Sequence, residues 1–336
     1  MKETLFYKKL KEEKVKCETC FHNCLIDKGN IGKCGVRKNI DGKLYLTSYQ
    51  KIAALNIDPI EKKPFFHFLP GSKTLSVASE GCSFFCKNCQ NWELSQSVKK
   101  RKPRGQSIIE EEIVKLASQK KIPSISYTYT DPTSFYEFAL ETMKIAKSKN
   151  IKNCFVTHGF MSKKALSNTI PLLDAVNIDI KSFSEKFYIE NCGARLKPVL
   201  SNAVLLKKSN IWLEITTLVI PTLSDSKKML LDLANFIYQK LGSETPWHIS
   251  RFSGNFSYKL KDIEDTSEET LKIAYNIGVD VGLKYVYIGN INDYNHQNTY
   301  CPKCKMLNVR RDFYSIERYD NNGKCIKCNY NLNICH

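Results

Sequence analysis

The sequence of 336 residues lacks any apolar stretch long enough to cross a membrane as a helix. Its first residues, Met1–Lys9, hold no apolar core of signal-peptide length, and neither a repeat nor a long disordered tract is evident. We therefore expect a cytoplasmic protein with no membrane partner. Acidic residues are also scarce: 34 Asp and Glu stand against 51 Lys and Arg, which leaves a net charge of +17.

The excess of positive charge makes nucleic acid a candidate partner. The lysines, however, are spread through every segment, as on a generally basic surface. The one dense run is Lys99–Arg104. It is either a solvated loop or a docking patch that attracts an acidic electron donor or a polyanionic substrate through long-range electrostatics. Nucleic acid is therefore not excluded.

Cysteine is abundant, with 14 residues. The cytoplasm keeps thiols reduced, so this number favours metal sites over disulfides. Eleven of them fall into three groups: Cys17, Cys20, Cys24 and Cys34; Cys82, Cys86 and Cys89; and Cys301, Cys304, Cys325 and Cys328. Of the remaining cysteines, we predict that Cys154 and Cys192 are buried structural thiols.

The middle group, Cys82, Cys86 and Cys89, has the spacing C-x3-C-x2-C directly after the strand-like run Thr74–Ser79. Three thiolates on one short loop can hold three irons of a [4Fe–4S] cluster, which ordinarily takes four cysteines. The missing ligand would leave one iron open to bind another molecule. A zinc knuckle or three unrelated thiols are the alternatives.

The two outer groups also have metal-binding spacings. The C-terminal group, C-x2-C-x20-C-x2-C, predicts a zinc ribbon, a closed four-thiolate site with a structural role. An iron cluster or a rubredoxin-like iron is the alternative there. The N-terminal group, C-x2-C-x3-C-x9-C, suits either zinc, the preferred interpretation, or an auxiliary [4Fe–4S] cluster. Spacing alone does not separate these two.

Between about residues 74 and 290 short apolar runs alternate with amphipathic segments, which predicts an α/β fold with a parallel sheet. The predicted strands are Thr74–Ser79, Ile125–Tyr129, Asn153–Thr157, Ala175–Ile180, Leu213–Ile220, Trp247–Ser250 and Tyr285–Ile288. A capping box at Thr266–Glu269 predicts the start of the last helix, and Gly278 lies near its end. The cysteine loop would then lie at the carboxyl ends of the strands, where such sheets carry active sites.

With these residues in view, the chain resembles the radical S-adenosylmethionine (SAM) superfamily. Over nearly its whole length it is similar to the radical SAM enzyme of the AmmeMemoRadiSam system, a relative of pyruvate formate-lyase activating enzymes. The matching segments are Gly32–Arg37, Lys63–Ser72, Gly81–Trp92, Tyr127–Pro132, Asn177–Lys181, Gly289–Asn290 and Asn298–Cys304. The resemblance implies a partial (β/α)6 barrel at 71–290. A cysteine knuckle with a connector would precede it at 1–70, and a zinc-ribbon-like module would follow at 291–336.

The same resemblance implies a reaction. Cys82, Cys86 and Cys89 would hold a [4Fe–4S] cluster that cleaves S-adenosylmethionine (AdoMet) to a 5′-deoxyadenosyl radical, which abstracts hydrogen from a substrate. A flavodoxin or ferredoxin would supply the low-potential electron. Glycyl-radical activation is one expected use, and Memo-like and AMMECR-like proteins are expected partners. An RNA-modifying radical SAM enzyme and a nucleic-acid-binding zinc protein are the alternatives, the latter leaving the three-cysteine loop unexplained.

The resemblance further implies the residues that contact AdoMet. They are Thr130, Asp131, Thr157, Asp179, Lys181 and His248. Asp131 is one methylene shorter than the acid of relatives, so a backbone contact from Thr130 becomes the expected one. Each position also has a structural alternative: a turn at Asp131, a buried ion pair between Asp179 and Lys181, and a structural histidine at His248.

Overall fold

The computed structural model describes residues 1–291, 295–312 and 314–335 of the protein. Its strands are β1 Lys2–Glu3, β2 Tyr7–Lys9, β3 Val15–Cys17, β4 Leu25–Ile26, β5 Arg37–Ile40, β6 Lys43–Leu46, β7 Lys51–Ile52, β8 Ala54–Pro59, β9 Lys73–Ala78, β10 Gln106–Ser107, β11 Ser124–Tyr127, β12 Lys152–Thr157, β13 Ala175–Asp179, β14 Trp212–Val219, β15 Trp247–Arg251, β16 Val286–Gly289, β17 Thr299–Tyr300, β18 Leu307–Asp312 and β19 Ser315–Arg318. Its α-helices are α1 Trp92–Ser95, α2 Glu110–Gln119, α3 Tyr136–Ser148, α4 Lys163–Thr169, α5 Glu185–Phe187, α6 Leu196–Lys208, α7 Lys227–Phe236 and α8 Glu268–Val281. Within these residues no helix has the length and apolarity needed to cross a membrane.

The central sheet has the strand order β16-β15-β14-β13-β12-β11-β9-β8. From β9 to β16 the strands are parallel and follow one another in chain order, with helices between them. The parallel sheet and its seven predicted strands are therefore confirmed, to within a residue or two at their ends. Strand β8, which pairs antiparallel with β9 at the edge, was not predicted.

The last helix, α8, begins one residue after the predicted box would place it and ends three residues beyond Gly278. Its N-cap is Ser267, whose hydroxyl accepts a hydrogen bond from the Thr270 amide, so the box predicted from Thr266 is wrong by one residue. The helix continues past Gly278 to Gly282, which has a φ of 102°. Gly278 instead allows close packing, because a β-carbon there would lie 3.0 Å from the Trp247 ring.

The N-terminal region forms two small antiparallel sheets, β1-β6-β5 and β2-β3-β4. It is held against the central sheet by Arg37, whose guanidinium makes a buried bidentate ion pair with Glu137 of α3, at 3.0 and 2.9 Å. Loss of one partner from such a pair typically costs about 3–5 kcal/mol, since the other charge stays buried. The region is thus firmly attached, and the division at residue 70 remains a prediction.

The C-terminal residues form the antiparallel sheet β17-β18-β19. They dock on the connector before β9 through Arg311, which is fully buried and donates to the Phe66 carbonyl at 2.6 Å. His67 of the connector in turn contacts the carbonyls of Leu332 and Asn333, both at 3.1 Å. The C-terminal module is therefore fixed to the central domain on one side.

Candidate functional site

The three-cysteine loop, residues 81–91, begins at the carboxyl end of β9. Its first residue, Gly81, has a φ of 113°, and a β-carbon there would lie 2.8 Å from Val36 of the N-terminal region. On its other side the Phe85 amide donates to the Cys192 carbonyl at 2.8 Å. The loop is therefore clamped between the N-terminal region and the π-helical turn Tyr188–Cys192 that follows α5.

Cys82, Cys86 and Cys89 all border one cavity of about 840 Å³. Burial raises the pKa of the Cys82 and Cys89 thiols, and a hydrogen bond with Cys192 together with burial raises the pKa of Cys86. Metal binding requires the thiolate, so a bound cation has to displace these protons. Three such thiols on one loop, facing a cavity of this size, fit a cluster with room for a further ligand.

The cavity lies at the carboxyl ends of the parallel strands, the edge at which parallel sheets carry active sites. Its lining includes every residue predicted for the cluster and the AdoMet site: Cys82, Cys86, Cys89, Thr130, Asp131, Thr157, Asp179, Lys181 and His248. They come from loops and strand ends separated by up to 166 positions in the chain, as counted from Cys82 to His248. The structure thus brings the predicted residues together. Contact of each with AdoMet remains a prediction.

Asp131 connects the ends of β11 and β12. Its carboxylate accepts hydrogen bonds from the Thr133 amide at 2.9 Å, the Thr157 hydroxyl at 2.6 Å and the His158 amide at 3.0 Å. Thr130 uses its hydroxyl to donate to the Ser79 carbonyl at 2.6 Å. Most of the acceptor capacity of Asp131 is therefore engaged within the protein, which fits a role in shaping this wall of the cavity.

Asp179 ends β13, Lys181 follows it, and the two form an ion pair of 3.0 Å at the cavity wall. Burial opposes the charged form of Lys181, but Asp179 and the thiols of Cys86 and Cys192 outweigh it, so the pKa of Lys181 is raised. Lys181 thus stays cationic beside the cysteines. The side chain of Asp179 keeps 35% of its surface exposed and can accept further hydrogen bonds from a ligand.

His248 of β15 is 2.6 Å from the Glu214 carboxylate, which is wholly buried. Glu214 also accepts from the backbone amides of Phe66 and His67, each at 3.0 Å. Burial raises the pKa of Glu214, but His248 and these amides outweigh that effect and lower it overall. One ring nitrogen of His248 is thus committed to Glu214, while the ring still borders the cavity.

Sequence reasoning missed the part of the cavity formed by the connector. Lys63 is buried, forms a 2.8 Å ion pair with Asp58, and lies over the Tyr129 ring at 4.2 Å. Tyr129 in turn donates to Asp58 at 2.5 Å. Tyr314 of the C-terminal module borders the same cavity. The signals in the sequence were the matching segments Lys63–Ser72 and Tyr127–Pro132, in which neither Lys63 nor Tyr129 was assigned a role.

Cys192 was also missed as a neighbour of the site. It is buried, as predicted, but its thiol is close enough to that of Cys86 to raise the pKa of Cys86. Nothing in the sequence links a cysteine at position 192 to the spacing of the loop, so only the fold reveals this contact.

The outer cysteine groups differ in geometry. The C-terminal thiols are tightly packed, with Cys301–Cys328 at 3.5 Å, Cys304–Cys325 at 3.6 Å and all four sulfurs within 4.8 Å. This group can bind a metal ion. The N-terminal group borders a separate small cavity behind the three-cysteine loop, which its four members line together: Cys17, Cys20, Cys24 and Cys34.

Comparison with known proteins identifies the type of domain that carries this site. The Radical SAM superfamily matches residues 76–234, which run from β9 and the three-cysteine loop into α7. The chain therefore contains a radical SAM domain, and it is a radical SAM enzyme. This domain implies a [4Fe–4S] cluster and AdoMet as cofactors, and the cavity and its three thiols fit both.

Two relatives and one solved structure are similar to this chain. A protein of Methanocaldococcus jannaschii described as uncharacterized is 44% identical over 335 residues, covering 100% of this chain and 97% of its own. A pyruvate formate-lyase-activating enzyme of Clostridium pasteurianum is 27% identical over 225 residues, covering 60% of this chain and 88% of its own. The crystal structure of Streptococcus suis SuiB bound to S-adenosylmethionine has a TM-score of 0.49 and 12% identity, covering 62% of this chain and 48% of that one. The chain thus has homologues among activating enzymes.

Proposed function

We propose that the protein cleaves AdoMet reductively in the 840 Å³ cavity and abstracts hydrogen from an organic or protein-borne substrate. Cys82, Cys86 and Cys89 would hold the cluster, which would supply the electron for reductive cleavage of AdoMet. The observation that carries the proposal is the convergence of all nine predicted residues on one cavity beside the cysteine loop.

The chain's own residues have distinct tasks in this proposal. Cys82, Cys86 and Cys89 would hold the cluster as thiolates. Lys181 places a positive charge beside the thiolates and favours their ionised form. Asp179, partly exposed, offers a carboxylate to the amino group of the methionine moiety, a charge-assisted contact. Asp131 acts as a positioning residue and leaves the backbone of Thr130 for the direct contact.

The substrate class is a glycyl-radical-type protein or a related partner, and the enzyme belongs to the AmmeMemoRadiSam system with Memo-like and AMMECR-like partners. The activating-enzyme relatives support the first part. The order of matching segments along the chain supports the second. A flavodoxin or ferredoxin is the reductant, and the cytoplasm is the location.

The fold is assigned to a partial (β/α)6 barrel at 71–290, with a cysteine knuckle and connector at 1–70 and a zinc ribbon at 291–336. Zinc is supported by the sulfur separations of 3.5 and 3.6 Å. Four sulfurs around one ion at about 2.3 Å, in a tetrahedron, lie about 3.8 Å apart.

The proposal is tested by anaerobic reconstitution with AdoMet and dithionite, with 5′-deoxyadenosine measured by mass spectrometry. Cys86→Ala should abolish its formation. Cys192→Ala is the matched control, because it removes the buried thiol that contacts Cys86 and should retain cleavage. Addition of candidate partner proteins, followed by their mass, then identifies the substrate. Deoxyadenosine formation by Cys86→Ala at the wild-type rate would exclude the proposed site.

A further inference from the structure

The N-terminal cysteines, Cys17, Cys20, Cys24 and Cys34, are close neighbours but are not packed around a single point. Each thiol is near enough to influence the charge of the others, and all four line one small cavity. Among the described residues, however, only the C-terminal group has three or more ligand atoms within 4.8 Å of one another. The N-terminal sulfurs are therefore more widely spaced than those of the C-terminal site.

The distances between the sulfur atoms distinguish a site for a single metal ion from a site for an iron–sulfur cluster. Around a single zinc the thiolates converge to about 3.8 Å, given Zn–S bonds of about 2.3 Å. In a cubane each thiolate binds a different iron at a separate corner, so the sulfurs are held farther apart. The three-cysteine loop is expected to hold a cluster because it lies in the radical SAM domain. Among the described residues, its sulfur atoms are likewise not all within 4.8 Å of one another. The N-terminal group, like the loop, thus lacks the tight sulfur spacing of the C-terminal site.

The N-terminal group also lies directly behind the loop. A β-carbon on Gly81 would lie 3.1 Å from the Cys34 carbonyl, and Gly81 is bonded to Cys82. Ser83 of the loop lines the same small cavity as the four N-terminal cysteines. Within the group Cys24 is partly exposed, whereas Cys34 is buried. The group therefore reaches from the protein surface to the back of the three-cysteine loop.

Lys99 lies between the two groups. Its ammonium donates to the Phe84 carbonyl in the loop at 3.0 Å, and its side chain packs 3.0 Å from the β-position of Gly35, next to Cys34. Burial lowers the pKa of Lys99, while the thiols of Cys82 and Cys34 counteract this. The positive charge of Lys99 thus lies near both groups of thiolates. It offsets the repulsion that their combined negative charge would produce at close range.

We propose that Cys17, Cys20, Cys24 and Cys34 hold a second iron–sulfur cluster that passes electrons to the cluster at Cys82, Cys86 and Cys89. A one-electron flavin or iron–sulfur donor reduces the N-terminal cluster by one electron and is itself oxidised by one. The N-terminal cluster then returns to its oxidised state as the loop cluster gains that electron. No bond is made or broken in this transfer. The relay rests on the proposed function, but the metal assignment does not.

The metal is tested by removing the loop cluster. Anaerobically prepared wild type should hold about eight irons per chain, since each cubane holds four. The variant Cys82→Ala/Cys86→Ala/Cys89→Ala should keep about four irons with matching acid-labile sulfide. Adding Cys24→Ser should remove these, while zinc from the C-terminal site stays constant. Iron absent from the triple variant, or a second zinc per chain in its place, would overturn the assignment.

The relay is tested in the single variant Cys24→Ser, with circular dichroism and AdoMet binding to confirm that the fold is kept. Reduction of the loop cluster by a flavodoxin, followed by EPR, should slow at least tenfold, while dithionite reduces it at the wild-type rate. An unchanged rate with flavodoxin would overturn the relay. Failure of the wild type to cleave AdoMet would instead refute the proposed function and leave the iron content to decide the N-terminal site.

Discussion

The three-cysteine loop and the C-terminal module present thiols in opposite ways. The loop's three thiols face an 840 Å³ cavity, whereas the module's four thiols face one another within 4.8 Å. Three ligands with open space leave a coordination position for a reacting molecule, and four converging ligands leave none. The number of thiols and the space before them therefore separate a reactive site from a structural one.

The largest effect is expected when the thiols of the three-cysteine loop are removed. The variant Cys82→Ala/Cys86→Ala/Cys89→Ala should lose AdoMet cleavage to below detection, because no thiolate remains to bind the iron there. Metal analysis should show that the C-terminal zinc is retained. Loss of the zinc together with the loop iron would contradict the view that the two sites are separate.

The converse change, Cys301→Ser, should remove the C-terminal metal and destabilise residues from about 295 onward, since metal binding energy is folding energy in such a site. Limited proteolysis and zinc content measure this. Loop iron should remain. Turnover should fall only in part, because Tyr314 and Gln297 of this region border the cavity. A protease-resistant tail without zinc would show that the metal is not what stabilises the module.

The stability of the contact between the connector and the C-terminal module should depend on pH through His67. Burial lowers the pKa of His67 to about 4, below its ordinary value of 6.5. The unfolded chain therefore takes up a proton first, so the stabilisation is complete above pH 6.5 and is lost as pH falls toward 4. The contribution of His67 to the slope is about 1.4 kcal/mol per pH unit.

This slope is measured from anaerobic urea unfolding between pH 5 and 7. His67→Gln should be less stable at pH 7 and show a shallower dependence. His22→Gln is the comparison, because burial also lowers the pKa of His22 to about 4, so this variant should flatten the pH dependence in part. The same steep slope in His67→Gln as in wild type would show that another group is responsible.

The smallest effect concerns the basic run near the loop. Lys99 and Arg101 are engaged internally, Arg101 through a 2.6 Å ion pair with Glu80. Only the exposed residues remain for docking: Lys100, Lys102 and Arg104. Their reversal to Glu should slow reduction by flavodoxin up to about tenfold at low salt and leave dithionite-driven turnover intact.

A second variant, in which three exposed lysines elsewhere are replaced by Glu, tests whether the slower reduction depends on the position of the charges. Exposed lysines on and after α2 and α3 serve as controls: Lys115, Lys120 and Lys149. They precede β11 and β12 and so lie toward the edge of the sheet opposite the cavity. An equal slowing in both variants would mean that net charge, not a docking patch, governs reduction.

The central sheet could be predicted because its strands are buried on both faces and so appear as continuous apolar runs. Strand β8 escaped prediction because it is an edge strand with exposed positions, including Ile57. The start of α8 was wrong by one residue because Thr266 instead binds the Phe252 amide and the Val219 carbonyl. Local capping signals cannot reveal such tertiary hydrogen bonds.

The candidate site was predictable to the extent that its residues are close in sequence. Cys82, Cys86 and Cys89 lie on one loop, so their spacing alone indicated a cluster. The contact of Cys192 with Cys86 spans 106 positions, counted from the two residue numbers, and depends on packing of the π-helical turn. The ion pair of Lys63 with Asp58 was hidden for another reason, since charged residues are usually exposed.

The central claim is that the cluster at Cys82, Cys86 and Cys89 has an iron open to AdoMet. Its most direct test is EPR of the dithionite-reduced protein with and without AdoMet. In the variant Cys24→Ser, which isolates the loop cluster, we predict a [4Fe–4S]¹⁺ signal whose g-values shift on addition of AdoMet. No shift at saturating AdoMet, or the same shifted signal after the loop cysteines are replaced by alanine, would contradict the account.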